Sequence, residues 1–197
     1  MAHHADKLKN YDFFLWEQFK RGDKSALQKI YYAHYQGMLD YGLRFTDERD
    51  FVREKIQQVY RDLIVNMDEL GKTGNIRFYL LWSLRQQILT PGKKQAKKTN
   101  RARHARIEGF DFRYYQTSIL PEKSNGKGLP SDIRRTMARL TNQEREALYL
   151  KFHQRLDEIE IDRMLEVTGL SARQLIYQAL EKLPAREKTH QDKNSRV

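Results

Sequence analysis

The chain has no cysteine, only four prolines, and no apolar run long enough to cross a bilayer. The missing thiols exclude disulfides, thiolate metal sites and cysteine nucleophiles, and they are typical of a reducing compartment. A membrane span needs roughly 20 apolar residues, and the FFLW cluster near the N-terminus is too short even for a signal peptide. From these absences we expect a cytoplasmic protein without a membrane partner.

Sequence motifs of enzymes are also missing. The chain contains no HExxH, GxxxxGK[ST] or GxSxG sequence, its six histidines are scattered, and nothing marks the acids of DEIEID as a metal site. We therefore predict no catalytic residue, no metal site and no cofactor. A basic nuclease or transferase remains only a weak competing hypothesis.

Positive charge is abundant. The formal net charge is +11, which favours a polyanionic partner, either nucleic acid or an anionic surface. Because 39% of the residues are hydrophobic, the chain can also build packed cores, so it is not a basic disordered tail.

Apolar residues recur at spacings of three and four, which predicts an all-α fold. In the first 90 residues we expect four helices. The first covers Tyr11 to Lys20, the second is capped by Asp23, and the fourth is capped by Asn75 and stopped by Pro91. The clearest apolar stripe lies on the third helix: Val52, Ile56, Val59, Leu63, Met67 and Leu70.

A basic segment and a second helical unit follow. Residues 91–130 are predicted to form a flexible linker. Within it, residues 93–106 carry seven Lys or Arg and no acid. This basic run is interpreted as a phosphate-binding element or as a solvated linker. A second unit is expected over 131–185, with a capping box at Thr141 and Glu144, then a flexible tail over 186–197. Its helices are predicted to turn these residues inward: Leu148, Phe152, Ile161, Met164 and Leu165.

The end of the second unit has the layout of a helix-turn-helix. On its last helix Ala172, Ile176, Ala179 and Leu183 share the apolar stripe. The remaining face carries side chains that can read base edges in a major groove: Ser171, Arg173, Gln174, Tyr177 and Gln178. A cap at Thr168 or Ser171 would leave N–H groups for phosphate. An ordinary amphipathic helix in a bundle explains the same pattern. The residues alone therefore leave two interpretations, a DNA recognition helix and a purely structural helix.

The fourth helix interleaves Arg and aromatic residues with its core stripe, which suits stacking on unpaired bases. Arg77, Trp82, Arg85 and Gln86 are the candidate contacts. For any single aromatic residue, such as Tyr79 or Trp82, simple packing is the better interpretation.

Two segments together resemble the extracytoplasmic-function group of sigma-70-type sigma factors, over about three quarters of the chain. The first runs from LWEQFKRGDKSALQKIYYAHYQGMLDYGLRFT through FVREKIQQVYRDLIVNMDEL to NIRFYLLWSLRQQIL. The second is LTNQEREALYLKFHQRLDEIEIDRMLEVTGLSARQLIYQALEKL. Both the order and the spacing of the two segments agree with that family's regions two and four.

The resemblance implies two small helical domains, region two over residues 1–90 and region four over 131–185. It also implies a promoter-specificity subunit that binds core RNA polymerase and promoter DNA. Region two would bind the β′ clamp helices and capture the melted minus-ten strand. Region four would bind the β flap and read the minus-thirty-five duplex, and an anti-sigma factor is a further expected kind of partner.

By position, the polymerase-facing residues are Glu54, Gln57, Gln58 and Asp62. The strand-facing residues are Lys72, Asn75, Arg77, Trp82, Arg85 and Gln86, and the duplex-facing residues are those of the last helix given above.

Three residues depart from the family pattern. Relatives usually carry acids where this chain has Arg53 and Gln58, and glycine where it has Glu166, a position that predicts a strained positive φ. We hypothesise from them that the chain binds polymerase but depends on a second DNA-binding protein for its target. The alternative function is a helix-turn-helix regulator that acts without binding core polymerase.

Overall fold

The computed structural model describes residues 2–90, 110, 135, 138–167 and 169–183, with side chains from residue 11 onward. Within these ranges all regular secondary structure is helical, so the all-α prediction is confirmed for them. The helices are α1 (Ala2–Lys20), α2 (Lys24–Gly42), α3 (Arg49–Val65), α4 (Ile76–Leu89), α5 (Asn142–Leu148), α6 (Glu158–Leu165) and α7 (Ala172–Glu181), with a 3₁₀ turn at Met67–Glu69 and a π-helical turn at Tyr149–His153.

Side-chain caps fix the starts of the N-terminal helices. An Asp23 carboxylate oxygen accepts the N–H of Ser25 at 2.7 Å, and Asn75 Oδ1 accepts the N–H of Phe78 at 3.0 Å. These two hydrogen bonds confirm both predicted caps. Each cap satisfies a backbone N–H that has no partner within the first turn of its helix. Helix α1 begins at Ala2 rather than at Tyr11, because the preceding nine residues contain no proline or glycine to stop it.

Helices α1 to α4 pack around a common core, here called the N-terminal group. The predicted stripe is buried on α3 from Val52 to Leu63, but the helix ends at Val65, so the prediction is wrong in placing Met67 and Leu70 on it. Trp16 and Leu80 have no exposed surface. Trp16 Nε1 also donates to the carbonyl of Gly71 at 2.8 Å, which ties α1 to the turn before α4. At Gly42 a Cβ would collide with Val52, so only glycine permits this approach of α2 to α3.

Helices α5 to α7 form the C-terminal group, and each begins with a capping box. The box at Thr141 and Glu144 is the predicted one. The boxes at Asp157 and Ser171 come in addition, with Glu160 and Gln174 as the reciprocal side chains. The inward residues include Leu148, Ile161, Met164, Leu165, Ala172, Leu175, Ile176 and Ala179.

The prediction for Phe152 is wrong. Its side chain is 62% exposed, because the π-helical turn adds a residue to the helix and rotates the following side chains away from the α-helical phase. Tyr149 and Leu150 are buried instead. On α7 the predicted stripe is confirmed for Ala172, Ile176 and Ala179, whereas Leu183 is only partly buried.

The two groups contact each other directly. Their buried residues belong to one continuous apolar cluster, which also includes Phe110. Apart from Phe110, the predicted linker over 91–130 and the predicted tail over 186–197 lie outside the described residues. Among the described residues, no helix combines the length and the apolar character that a bilayer crossing requires.

Candidate nucleic-acid interface

The six residues predicted to face a melted strand lie on the turn before α4 and along α4 itself. Lys72, Arg77 and Trp82 are exposed, and the other three are partly buried. Four of the six donate hydrogen bonds to the C-terminal group. Asn75 Nδ2 donates to Glu160 Oε1 at 2.7 Å, Arg77 Nη1 to the Gln154 carbonyl at 3.1 Å, Arg85 Nε to Glu146 Oε1 at 3.0 Å, and Gln86 Nε2 to Glu166 Oε1 at 2.9 Å.

Glu146 is the buried centre of these contacts. Its side chain is 4% exposed, and its Oε1 accepts both Arg85 Nε and the Tyr41 hydroxyl, the latter at 2.5 Å. Burial raises the pKa of Glu146, against the opposing effects of the Arg85 guanidinium and the Tyr41 hydroxyl. A buried ion pair of this kind avoids a large loss of folding stability only while both charges remain paired.

Aromatic rings fill the space beside this ion pair. The Phe110 ring centroid lies 5.9 Å from that of Tyr41, 5.4 Å from that of Phe45 and 5.4 Å from that of Tyr149. The Arg44 guanidinium lies 5.0 Å from the Tyr149 ring centroid. We call these five residues the aromatic junction. It joins the end of α2 to the C-terminal group through Phe110, a residue of the predicted linker.

A cleft of about 440 Å³ opens beside the turn that precedes α4. Its lining combines residues 71–75 of the turn with Phe78 and Tyr79, so the cleft offers aromatic and polar groups together. Glu160 and Arg163 of α6 also line it. The aromatic and polar lining suits stacking on a base with hydrogen bonds at its edge.

A smaller cavity of about 170 Å³ lies between α2, α4 and the π-helical turn, with His34, Arg77 and His153 in its lining. Burial, followed by the nearby Arg77 charge, lowers the pKa of His34 from 6.5 to about 4. The neutral imidazole is therefore the form that fits this site.

This lowered pKa predicts an acid-dependent loss of stability. Because the folded pKa lies below the unfolded one, the contribution of His34 is complete above pH 6.5 and declines as pH falls to about 4. The free energy of unfolding should fall by at most about 3 kcal/mol over that window through this group. Urea unfolding at several pH values would measure it, with His34→Asn as the control. If the variant shows the same acid dependence as the unaltered protein, His34 is not the responsible group.

The exposed face of α7 carries the residues predicted to read duplex DNA. Arg173, Gln174 and Tyr177 are exposed, and Ser171 and Gln178 are partly buried. Arg173 Nε pairs with Glu158 Oε2 at 2.9 Å, with the Arg173 side chain 80% exposed, so solvent screening leaves this pair weak and exchangeable. The backbone N–H of Ala172 donates to Asp162 Oδ1, and the backbone N–H of Gln174 donates to Ser171 Oγ. Two of the N–H groups that are predicted to bind phosphate are therefore already hydrogen-bonded within the chain.

The residues predicted to face polymerase lie on α3. Glu54 and Gln57 are exposed, and Gln58 and Asp62 are partly buried. Asp62 accepts Gln58 Nε2 at 2.6 Å and Gln87 Nε2 at 2.9 Å, which fixes its carboxylate against α4. Glu54, Gln58 and Asp62 recur at spacings of four and therefore share one face of the helix.

Sequence reasoning missed the residues that join the two groups. Glu146 and Phe110 gave no periodic signal, although a glutamate flanked by the apolar run ALYL is itself unusual. Among the described side chains, no group of three or more His, Asp or Glu is arranged to hold a metal ion. Compared with known proteins, the chain matches no protein-family model and no curated protein sequence, so a functional assignment depends on its own residues and their geometry.

Proposed function

We propose that this protein is a sigma-type specificity subunit of RNA polymerase, with two helical domains that bind core polymerase and promoter DNA. In this proposal α3 faces the β′ clamp helices, and α4 with its preceding turn holds the melted strand. Helix α7 enters the major groove of the upstream duplex, and the C-terminal group also contacts the β flap. The protein supplies recognition rather than catalysis, and it acts in the cytoplasm, where polymerase is found.

The observation that supports the proposal most is the form of the C-terminal group. Helix α6 ends at a left-handed residue, Glu166 with φ 49°, and α7, which begins at Ala172, buries Ala172, Ile176 and Ala179. Its opposite face leaves Arg173 and Tyr177 exposed, as a recognition helix requires. The cleft beside Lys72 and the Arg-bearing α4 provide a second surface of a different kind, suited to unpaired bases.

Two features favour dependence on a second DNA-binding protein for target choice. Compared with the family pattern, Arg53 and Gln58 make α3 less negative, and Glu166 places an acid beside the recognition helix, where a phosphate would approach. These departures weaken electrostatic contacts with polymerase and DNA, but they leave the apolar packing that positions the helices.

Binding to core polymerase tests the proposal directly. We expect the protein to co-migrate with core RNA polymerase on a sizing column in a one-to-one complex. Triple replacement of Glu54, Gln57 and Asp62 by alanine should reduce that complex, whereas Arg49→Ala should not. A chain that binds duplex operator as a dimer and does not bind polymerase would instead be a helix-turn-helix regulator.

In vitro transcription with core polymerase and this protein alone tests whether a second protein is needed for target choice. Efficient, sequence-selective initiation would exclude the need for a second protein.

Arg173 provides a prediction for the duplex surface. Arg173→Ala should weaken binding to the upstream duplex by about 1–3 kcal/mol if its guanidinium bonds a guanine edge. Fluorescence anisotropy with target and scrambled duplexes measures the affinity and the preference. Arg21→Ala, which removes the same charge from the exposed end of α1, is the matched control. Equal effects of both replacements would leave Arg173 with no reading role.

A further inference from the structure

We propose that the small cavity between α2, α4 and the π-helical turn is a binding site for a phosphate group, with Arg77, His34 and His153 as its donors. The ligand is inorganic phosphate or a small molecule that carries a phosphate. The cavity shares no lining residue with the cleft beside Lys72, and the site is independent of the proposed function.

The size and the lining of the cavity suit a small anion. Its volume of about 170 Å³ is close to the roughly 150 Å³ of a cavity that encloses a benzene ring, so a tetrahedral phosphate fits. Met38 and Leu81 supply apolar surface, while Arg77 and the two imidazoles supply N–H groups. Sites for small ligands combine apolar surface with a few polar groups in this way.

Gly37 lies on the α2 side of the cavity, in the interior of that helix. Except for proline, glycine is the residue least favourable in a helix interior, because its backbone loses the most conformational entropy there. Its φ is not positive, and a Cβ at this position would lie 3.8 Å from Gln154 Oε1, an ordinary contact. At Gly42, by contrast, a Cβ would collide with Val52. Backbone geometry and packing therefore do not require glycine at position 37, whereas the missing side chain keeps space in the cavity.

Arg77 is the charged donor of the site. Its Nη1 donates to the carbonyl of Gln154 at 3.1 Å, which holds the guanidinium at the cavity and leaves further N–H groups for a ligand. The Asp12 carboxylate accepts the backbone N–H of Ile76 and interacts with Arg77 only through its charge. Within the described residues, Arg77 forms no salt bridge, so an anion in the cavity has no carboxylate of the chain to displace from it.

The two histidines favour phosphate over a carboxylate ligand. His34 belongs to α2 and His153 to the π-helical turn, so with Arg77 of α4 the donors come from three elements. A neutral imidazole has one N–H to donate, and a guanidinium can bond an oxyanion through two. A phosphate monoester carries three acceptor oxygens, whereas a carboxylate has only two. A phosphate can therefore accept from all three side chains at once.

The electrostatics of the cavity also favour an anion. Burial is the first cause of the lowered pKa of both histidines, and the Arg77 charge lowers each pKa further. At His153 the Arg44 charge adds to this effect, and only Asp40 opposes it. The cationic side chains thus dominate the field at both rings. A bound anion would offset that field and raise both pKa values, so binding is coupled to proton uptake.

Titration of the full-length protein with inorganic phosphate at constant ionic strength tests the site. We expect the ring resonances of His34 and His153 in NMR spectra to move together and to saturate. Arg77→Gln should weaken the affinity by at least about tenfold, because it removes the charged donor. Arg21→Gln removes the same charge from the exposed end of α1, and it should change the affinity by less than about twofold.

A second variant fills the cavity and leaves every charge in place. Gly37→Leu introduces a better helix former where a Cβ meets only an ordinary contact, so the fold should be kept, which urea unfolding checks. The phosphate-induced movement of the His34 and His153 resonances should disappear in this variant. Gly37→Ala adds a single methyl group and should retain binding. A folded Gly37→Leu variant with unchanged phosphate affinity would overturn the site.

Related anions identify the source of the phosphate and the proton coupling. Tighter binding of glycerol phosphate indicates a monoester ligand, and tighter binding of dimethyl phosphate indicates a diester; either preference supports the site. Sulfate has the same shape and a constant charge, so its affinity should rise as pH falls from about 7 to about 5, because the bound anion raises the pKa of His34 from about 4. Resonances of His34 and His153 that stay fixed with all of these anions, or that move equally in Arg77→Gln, would refute the proposal.

Discussion

Replacement of Glu146 by alanine is expected to lower the free energy of unfolding by about 3–5 kcal/mol. The variant would leave the Arg85 guanidinium, whose side chain is only 13% exposed, without its carboxylate, and the Tyr41 hydroxyl without its acceptor. The cost comes from the buried charge that loses its partner rather than from the intrinsic strength of the pair. Urea unfolding followed by far-UV circular dichroism measures it.

A matched variant separates these two contributions. Replacing the three polar partners together by apolar residues, as Tyr41→Phe, Arg85→Met and Glu146→Leu, removes the pair without leaving a buried charge. We expect this triple variant to be destabilised much less than Glu146→Ala, because well-packed apolar residues often substitute for a buried ion pair at little cost. Equal destabilisation would show that packing, not charge, determines the effect of Glu146.

Phe110→Ala should have the second large effect, about 3–5 kcal/mol, because its ring is 1% exposed and its removal leaves a cavity among Tyr41, Phe45 and Tyr149. The same loss should loosen the contact between the two helical groups, since Phe110 touches both. Urea unfolding gives the stability. Spin labels on cysteines introduced at the exposed positions Lys24 and Glu181 give the separation, since the chain has no cysteine of its own.

Phe152→Ala is the control for this replacement, since it removes the same side chain from a position that is 62% exposed. Its effect should stay within about 0.5 kcal/mol, the usual range for a surface substitution. A Phe110→Ala variant as stable as Phe152→Ala would mean that the aromatic junction contributes no stability.

Local patterns were sufficient to predict the helices. The stripe of α3, the caps at Asp23 and Asn75 and the capping box at Thr141 each depend on residues within a few positions of one another. The positive φ of Glu166 is expected from the family resemblance, in which glycine is usual at that position. The failure at Phe152 also has a local cause, because one extra residue in a π-helical turn breaks the period on which the prediction relies.

The contacts between the two groups could not be predicted in the same way. Glu146 and its partners Arg85 and Tyr41 are separated by 61 and 105 residues, and no periodicity links positions so far apart. The sequence could nominate Arg85 and Gln86 as donors on α4 from residue type and spacing. It could not show that carboxylates of the same chain would be the acceptors, because that depends on how the two groups pack.

The left-handed turn at Glu166 also has a genetic consequence. Glutamate and glycine codons differ by a single nucleotide, so the residue that favours this backbone conformation is one point mutation away. That mutation would at once relax the turn, as glycine has no Cβ, and delete the bond to Gln86. Selection for stronger promoter binding, the activity proposed above, should therefore recover Glu166→Gly repeatedly, because the change also removes the acid beside the recognition helix. Loss of the buried Glu146 should be recovered only as an unstable protein.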